Sequence, residues 1–227
     1  MNKLWYLSQI SMFDSLPLED LMEIERMAPM KTIQKHTLIQ TPATFREGLY
    51  FIKKGKLRLY KINSEGRQFT LGILGEGNVF GEIDTFSLGT KGIYIETMEE
   101  TLLCSLTKEE FESFLTQRPQ LALKLLKVLS ERLLEREAML EQLALGGIRD
   151  RVLHLLVKLA DQFGVEKADG FSKIDLVLSH QELANMIGAS RESVTVVLNE
   201  LVKQDLIRTG RMSIQIRLDE AKKELSQ

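Results

Sequence analysis

Cysteine is nearly absent. Cys104 is the only one in 227 residues, so neither an intramolecular disulfide nor an all-cysteine metal site can form. Histidine is almost as scarce: His36, His154 and His180 lie far apart and show no ligand spacing. That leaves no basis for structural zinc, haem or an iron–sulfur cluster, and no bound metal or cofactor is expected. No apolar run approaches the roughly 18 residues that a membrane-spanning helix needs. Residues 1–10 carry one basic side chain, Lys3, and no apolar core followed by a small-residue cleavage site. No signal peptide is read, no membrane partner is expected, and the cytoplasm is the expected compartment. An excess of one charge is missing too. The formal net charge is −2, and residues 148–227 hold 12 Lys+Arg against 12 Asp+Glu. A phosphate-binding surface must therefore be a local patch rather than a basic domain. Finally, no nucleophile–base spacing, phosphate loop or paired metal ligands occur, which argues against an enzyme.

What is present is the composition of a soluble globular protein, 44% hydrophobic and 27% charged, in a chain long enough for two domains. The opening Phe13-Asp-Ser-Leu-Pro-Leu-Glu-Asp-Leu reads as a helix start, with Ser15 as cap and Pro17 in the first turn. From about Met30 to Leu106 short apolar segments alternate with glycine turns: Leu49-Tyr-Phe-Ile, Lys56-Leu-Arg-Leu-Tyr and Gln68-Phe-Thr-Leu-Gly-Ile-Leu. Strands of this length and spacing predict a small antiparallel barrel or sandwich.

From Thr107 the period becomes helical. Thr107-Lys-Glu-Glu has capping-box character, and Phe111, Phe114 and Leu115 share a face. A long helix follows, from about Pro119 to Leu145. Ala122, Leu126, Leu129, Leu133, Arg136, Leu140 and Leu143 stand at alternating four- and three-residue steps, the spacing of a coiled-coil seam. A helix packed on its own domain also fits this pattern, but a two-stranded dimer explains the length and the step better. Arg136 in the seam needs a partner, either Glu135 or Glu137 across the interface or an anionic effector. Gly146-Gly147 then breaks the helix and marks a hinge. Beyond it lie an apolar-faced helix from Arg151, with His154 inside the pattern, a polar loop over residues 164–173, two closely spaced helices and a hairpin.

Those two helices carry the function. Ser179 caps a short helix that buries Leu183, Ala184 and Ile187. Gly188 supplies a left-handed turn, and Ser190 caps a second helix that buries Val194, Val197, Leu198 and Leu201. Ser193 lies in its first turn, while Arg191, Glu192, Thr195 and Asn199 point outward, available to a DNA groove. The hairpin forms a wing whose Arg208 and Arg211 could neutralise backbone phosphates. A competing reading, a ligand-binding module whose C-terminal domain has lost DNA binding, draws on the neutral charge and on Val196. The intact turn and cap oppose it.

The whole chain, from about Phe13 to Leu218, resembles the cyclic-AMP receptor protein / fumarate-nitrate regulator (Crp/Fnr) family. The likeness rests on the glycine-spaced segment Gly66 to Glu82, on the long helix, and on Ser179-His-Gln-Glu-Leu-Ala with Gly188-Ala-Ser-Arg-Glu-Ser-Val. It implies an α+β fold with three parts. Residues 1–118 would form an effector-binding antiparallel β-barrel with flanking helices, a jelly roll of the cyclic-nucleotide-binding type. Residues 119–147 form a dimerisation helix and hinge, and residues 148–227 a winged helix-turn-helix. It implies a homodimer on an inverted-repeat DNA operator that recruits or obstructs RNA polymerase under a small-molecule effector.

Carried over by residue, the resemblance assigns Ser179, His180 and Gln181 to backbone positioning and Arg191 and Glu192 to base edges. Many members have an arginine where this chain has Val196, so its operator should differ from theirs. Gly81 and Glu82 match the family's ribose contact. Lys91 and Gly92 stand near where its phosphate-clamping Arg-Ser would be, and Arg136-Glu137 replaces the pair that would reach adenine. Cyclic AMP is therefore not the expected effector. Cys104, in an apolar strand, is read as a core residue.

Overall fold

The computed structural model describes residues 13, 16–44, 47–83, 86–166 and 170–225. The chain falls into two compact units. The first runs through Glu135 apart from Gln68–Thr70, and the second takes those three residues and everything from Arg136 onward.

The first unit opens with α1 (Leu18–Met27), which buries Leu21 and Ile24 three positions apart on one face. Pro17 occupies the cap position rather than the first turn. Ser15 lies outside the described residues. Among the described residues nine strands follow: β1 (Met30–Ile33), β2 (Leu38–Gln40), β3 (Gly48–Lys54), β4 (Leu57–Ile62), β5 (Gln68–Leu74), β6 (Val79–Ile83), β7 (Phe86–Ser87), β8 (Tyr94–Thr97) and β9 (Thr101–Leu106). They make two sheets, β1-β9-β3-β6-β7 and β2-β8-β4-β5. This is a jelly-roll sandwich, and the expected barrel does not close. Among the described residues no ladder joins the edges of the two sheets. The edge strands β2 and β7 are three and two residues long, too short to carry one across.

Strand β3 shows how the layers form. Ile52 joins a cluster between the sheets with Leu57, Leu59, Phe80, Ile93 and Ile95. Leu49 and Phe51, of opposite parity, join a second cluster with Leu21, Ile24, Cys104, Phe111, Phe114, Leu121 and Leu125. Side chains alternate along a strand, so β3 serves both faces and is buried on each. Cys104 is the core residue its strand implied, with Sγ 3.7 Å from the Ala28 carbonyl. On the two inner strands of the other sheet, β4 and β8, Tyr60 stacks on Tyr94 at 5.2 Å and donates to Glu96 at 3.4 Å. Burial, then the Glu96 charge, holds its phenol above the usual tyrosine range.

Helix α2 (Lys108–Gln117) starts in the expected capping box. Thr107 Oγ1 accepts from the Glu110 amide at 3.2 Å, and Glu110 accepts from the Thr107 amide at 2.8 Å. Phe111 and Phe114 are buried beneath it. Helix α3 (Gln120–Leu145) turns Leu121, Leu125, Val128 and Leu129 toward the core of the first unit. Arg132 extends that stripe, and its guanidinium donates to the carbonyls of Leu88, at 2.7 Å, and Val79.

The second unit contains α4 (Ile148–Phe163), β10 (Gly164–Glu166), β11 (Ser172–Ile174), α5 (His180–Ile187), α6 (Arg191–Lys203), β12 (Ile207–Gly210), β13 (Ser213–Ile216) and α7 (Leu218–Leu225). The strands form one sheet, β10-β11-β13-β12. Residues 164–173, expected as a loop, thus contribute two strands. Strand β10 is exposed along its length, so no apolar alternation marks it. Gly164 makes the handover from α4 possible, because a Cβ there would collide with the Ala160 carbonyl. The core is built from Val152, Leu153 and Leu156 of α4 with Leu183, Val194, Leu198 and Leu201.

Candidate nucleic-acid interface

Two capped helices and a tight turn build the interface. Ser179 Oγ accepts from the Glu182 amide at 3.2 Å while the Glu182 carboxylate accepts from the Ser179 amide at 2.6 Å, so both ends of the first turn of α5 are satisfied. Ala184 is completely buried, small where a second helix crosses. Gly188 ends α5 in the left-handed region at φ 64, a conformation that costs a side chain roughly 1–2 kcal/mol. Arg151 of α4 donates to the Ile187 carbonyl at 3.0 Å and closes the C-terminal end of α5. Ser190 then caps α6, accepting from the Ser193 amide at 3.1 Å.

Helix α6 buries the four apolar residues that its period predicts, Val194, Val197, Leu198 and Leu201. Arg191, Glu192, Val196 and Asn199 are exposed, while Ser193 and Thr195 are half-buried. Thr195 faces outward less freely than expected. Its hydroxyl donates to the Arg191 carbonyl at 2.9 Å and lies 2.8 Å from His180 Nδ1. With the hydroxyl proton committed to Arg191, the second bond needs a proton on Nδ1, so His180 donates. This bridge pins the start of α5 to the first turn of α6. Gln181 is exposed and donates to Asn185 at 3.0 Å.

The wing is the β12–β13 hairpin, closed by Arg211 and Met212, with Met212 at φ 52. Arg211 is exposed at its tip. Arg208 is exposed as well, and its guanidinium lies 3.9 Å over the ring of buried Phe171, which Arg217 also approaches, at 4.4 Å.

In the first unit, the segment that the resemblance assigned to an effector is tied from within. Glu82 is 4% exposed. One of its oxygens accepts from the amide of Thr90, from the Thr90 hydroxyl at 3.0 Å and from the Lys91 amide at 2.8 Å. Gln40 holds the other side of Thr90, donating to its carbonyl at 2.6 Å. Lys91 and Gly92 are exposed at the turn. Gly81, at φ 124, is required by the sheet itself, since a Cβ there would strike the Gly48 carbonyl. On α3, Arg136 is half-buried and Glu137 exposed. The roles of Arg132, Gln40 and Thr90 were invisible in the sequence, because each acts on a partner 44, 50 or 8 positions away, with no spacing to reveal it.

The seam residues divide. Leu126, Leu133, Leu140 and Leu143 are exposed at 58, 60, 65 and 36%, whereas Leu129 packs on the core of its own unit and Ala122 is half-buried. Leu123 and Leu134, outside the expected seam, are also exposed, at 70 and 64%.

Residues 30–118 match the model of the cyclic nucleotide-binding domain, and residues 150–221 that of the Crp-like helix-turn-helix domain. The global nitrogen regulator of Nostoc sp. is 32% identical over 189 residues, covering 82% of this chain and 84% of that one. The chain belongs to the Crp/Fnr family. A second relative, the cyclic AMP receptor protein of Thermus thermophilus, is 31% identical over 171 residues, 75% of this chain and 76% of that protein. Among solved structures, a CooA mutant from Carboxydothermus hydrogenoformans superposes with a TM-score of 0.75 at 25% identity, covering 89% and 90% of the two chains. Crp/Fnr proteins are transcription regulators rather than enzymes, and the winged helix-turn-helix of this chain is its DNA-binding element.

Proposed function

We infer that this Crp/Fnr regulator is a cytoplasmic homodimer that reads an inverted-repeat operator and acts on RNA polymerase under an effector other than cyclic AMP. The observation that carries the DNA reading is the outer face of α6. A serine-capped helix presents Arg191 and Glu192 to solvent at its N-terminal end, the end that such domains lead into the major groove, with Asn199 exposed about two turns further along. Arginine can donate two bonds to guanine O6 and N7, and glutamate can accept from cytosine N4. The exposed leucines of α3 support dimerisation. No helix among the described residues is long and apolar enough to cross a membrane.

The case against cyclic AMP rests on Arg136-Glu137, which replaces the pair that would reach adenine, and on Lys91, which stands near where the phosphate-clamping arginine would be. A lysine lacks the planar fork that grips two phosphate oxygens. The relatives' names themselves differ, a nitrogen regulator beside a cyclic AMP receptor. Neither haem nor an iron–sulfur cluster is proposed, given one buried cysteine and no group of three potential ligands among the described residues. A gel shift against promoter fragments over a salt series tests DNA binding. Affinity should fall steeply as salt rises, since phosphate contacts release counterions. Binding that is absent at low salt would refute it.

A further inference from the structure

Val196 is 57% exposed, while its helix neighbours Val194 and Val197 are 0% and 7% exposed. It is therefore no part of the core. It sits four positions after Glu192 and three before Asn199, so the three share one face of α6, with the aliphatic residue between two polar ones. A single exposed valine is ordinary on a protein surface. On this helix its position is informative, because the face it occupies is the one a helix-turn-helix turns to the base edges. Beside it, the polar group of Thr195 is engaged with the Arg191 carbonyl and His180, which leaves the middle of the reading face without a free hydroxyl.

The major groove carries hydrogen-bonding groups and one apolar group, the 5-methyl of thymine. We propose that Val196 is a specificity-determining residue that packs on a thymine 5-methyl in each half-site, between the base pairs that Arg191 or Glu192 and Asn199 can reach. This rests on the sequence-specific reading above. A guanine in that place would turn its O6 and N7 toward an aliphatic wall and lose water without replacement. The side chain thus selects thymine by attraction and rejects guanine by desolvation.

The test uses the full-length protein and the operator recovered by selection from randomised duplexes. Each thymine is replaced in turn by deoxyuridine, which removes only the methyl group. At one position per half-site the wild type should lose about fourfold in affinity, the worth of one methyl taken out of water. Val196→Ala should bind both versions equally there while remaining sensitive to changes at other positions. A 5-methylcytosine at the same place should bind the wild type more tightly than cytosine does, and Val196→Ala should not distinguish them. An operator with no thymine whose methyl effect Val196→Ala abolishes overturns the proposal. Recovery of no preferred sequence would instead defeat the sequence-specific reading, and this one with it.

Discussion

Replacing Leu126, Leu133 and Leu140 together with alanine should separate the protein into folded monomers. The three side chains are 58, 60 and 65% exposed in the single chain and recur every seven residues on α3, so a parallel partner would cover them at every second turn. Leucine exceeds alanine by three carbons, worth about 2.4 kcal/mol when wholly buried, at roughly 0.8 kcal/mol each. Only the three-fifths that stands exposed is available to a partner, which leaves about 1.4 kcal/mol per leucine. A two-fold axis counts each position twice, so the three sites together are worth about 8 kcal/mol at most. Even a third of that weakens association by about a hundredfold. Sedimentation velocity from nanomolar to micromolar protein is the measurement, with circular dichroism to show that the fold persists. Leu129 and Leu125 are the wrong residues to change, because both pack on the core of the first unit and their loss would report on folding. A wild type that is monomeric at micromolar concentration, or a triple variant that dimerises like the wild type, refutes the reasoning.

Arg191→Ala should weaken operator binding and flatten preference at one base pair in each half-site, a loss of roughly 1–3 kcal/mol in discrimination. Gln181→Ala should weaken all sequences alike, and selection from randomised half-sites distinguishes the two. Glu82→Ala strands the amides of Thr90 and Lys91, so chemical denaturation should show a loss of roughly 1–3 kcal/mol. Amide exchange at those two positions should rise. Millimolar cyclic AMP should leave the Tm unchanged, because a ligand of the folded state must raise it; a shift of several degrees would count against the effector reading. The raised pKa of Tyr60 favours its neutral form in the fold, so its contribution to stability is complete below about pH 10 and is lost as pH climbs further. Tyr60→Phe should remove that part of the alkaline loss in a series of melts.

Local patterns were legible in the sequence, and remote pairings were not. The buried sets of α5, apart from Met186, and of α6 followed from a 3.6-residue period bounded by Ser179, Gly188 and Ser190, all signals within a few positions of what they determine. The same holds for Phe111 and Phe114 under the Thr107 capping box. Strand β10 was missed because it is exposed along its length and shows no apolar alternation, and β11 because it is only three residues long and one of its two buried residues is a serine. Barrel closure depended on edge strands whose lengths no turn signal reveals. On α3 the heptad placed Leu129 in the same seam as Leu126, but a real helix has two apolar flanks here, and the sequence cannot say which one a domain keeps for itself. Thr195 was read as a free outward side chain because its partner His180 belongs to the preceding helix.

The pair Gly81-Glu82 changes what such a dipeptide is worth as a diagnostic. Each residue has a full occupation that involves no ligand: the glycine lets β3 and β6 approach at Gly48, and the glutamate fastens the turn at Thr90 and Lys91. A chain can therefore keep both letters through any change of effector, since losing either would damage the scaffold first. Where the dipeptide occurs in this sandwich it vouches for the shape of the domain, and the identity of the bound molecule has to be sought in the groups that reach past it.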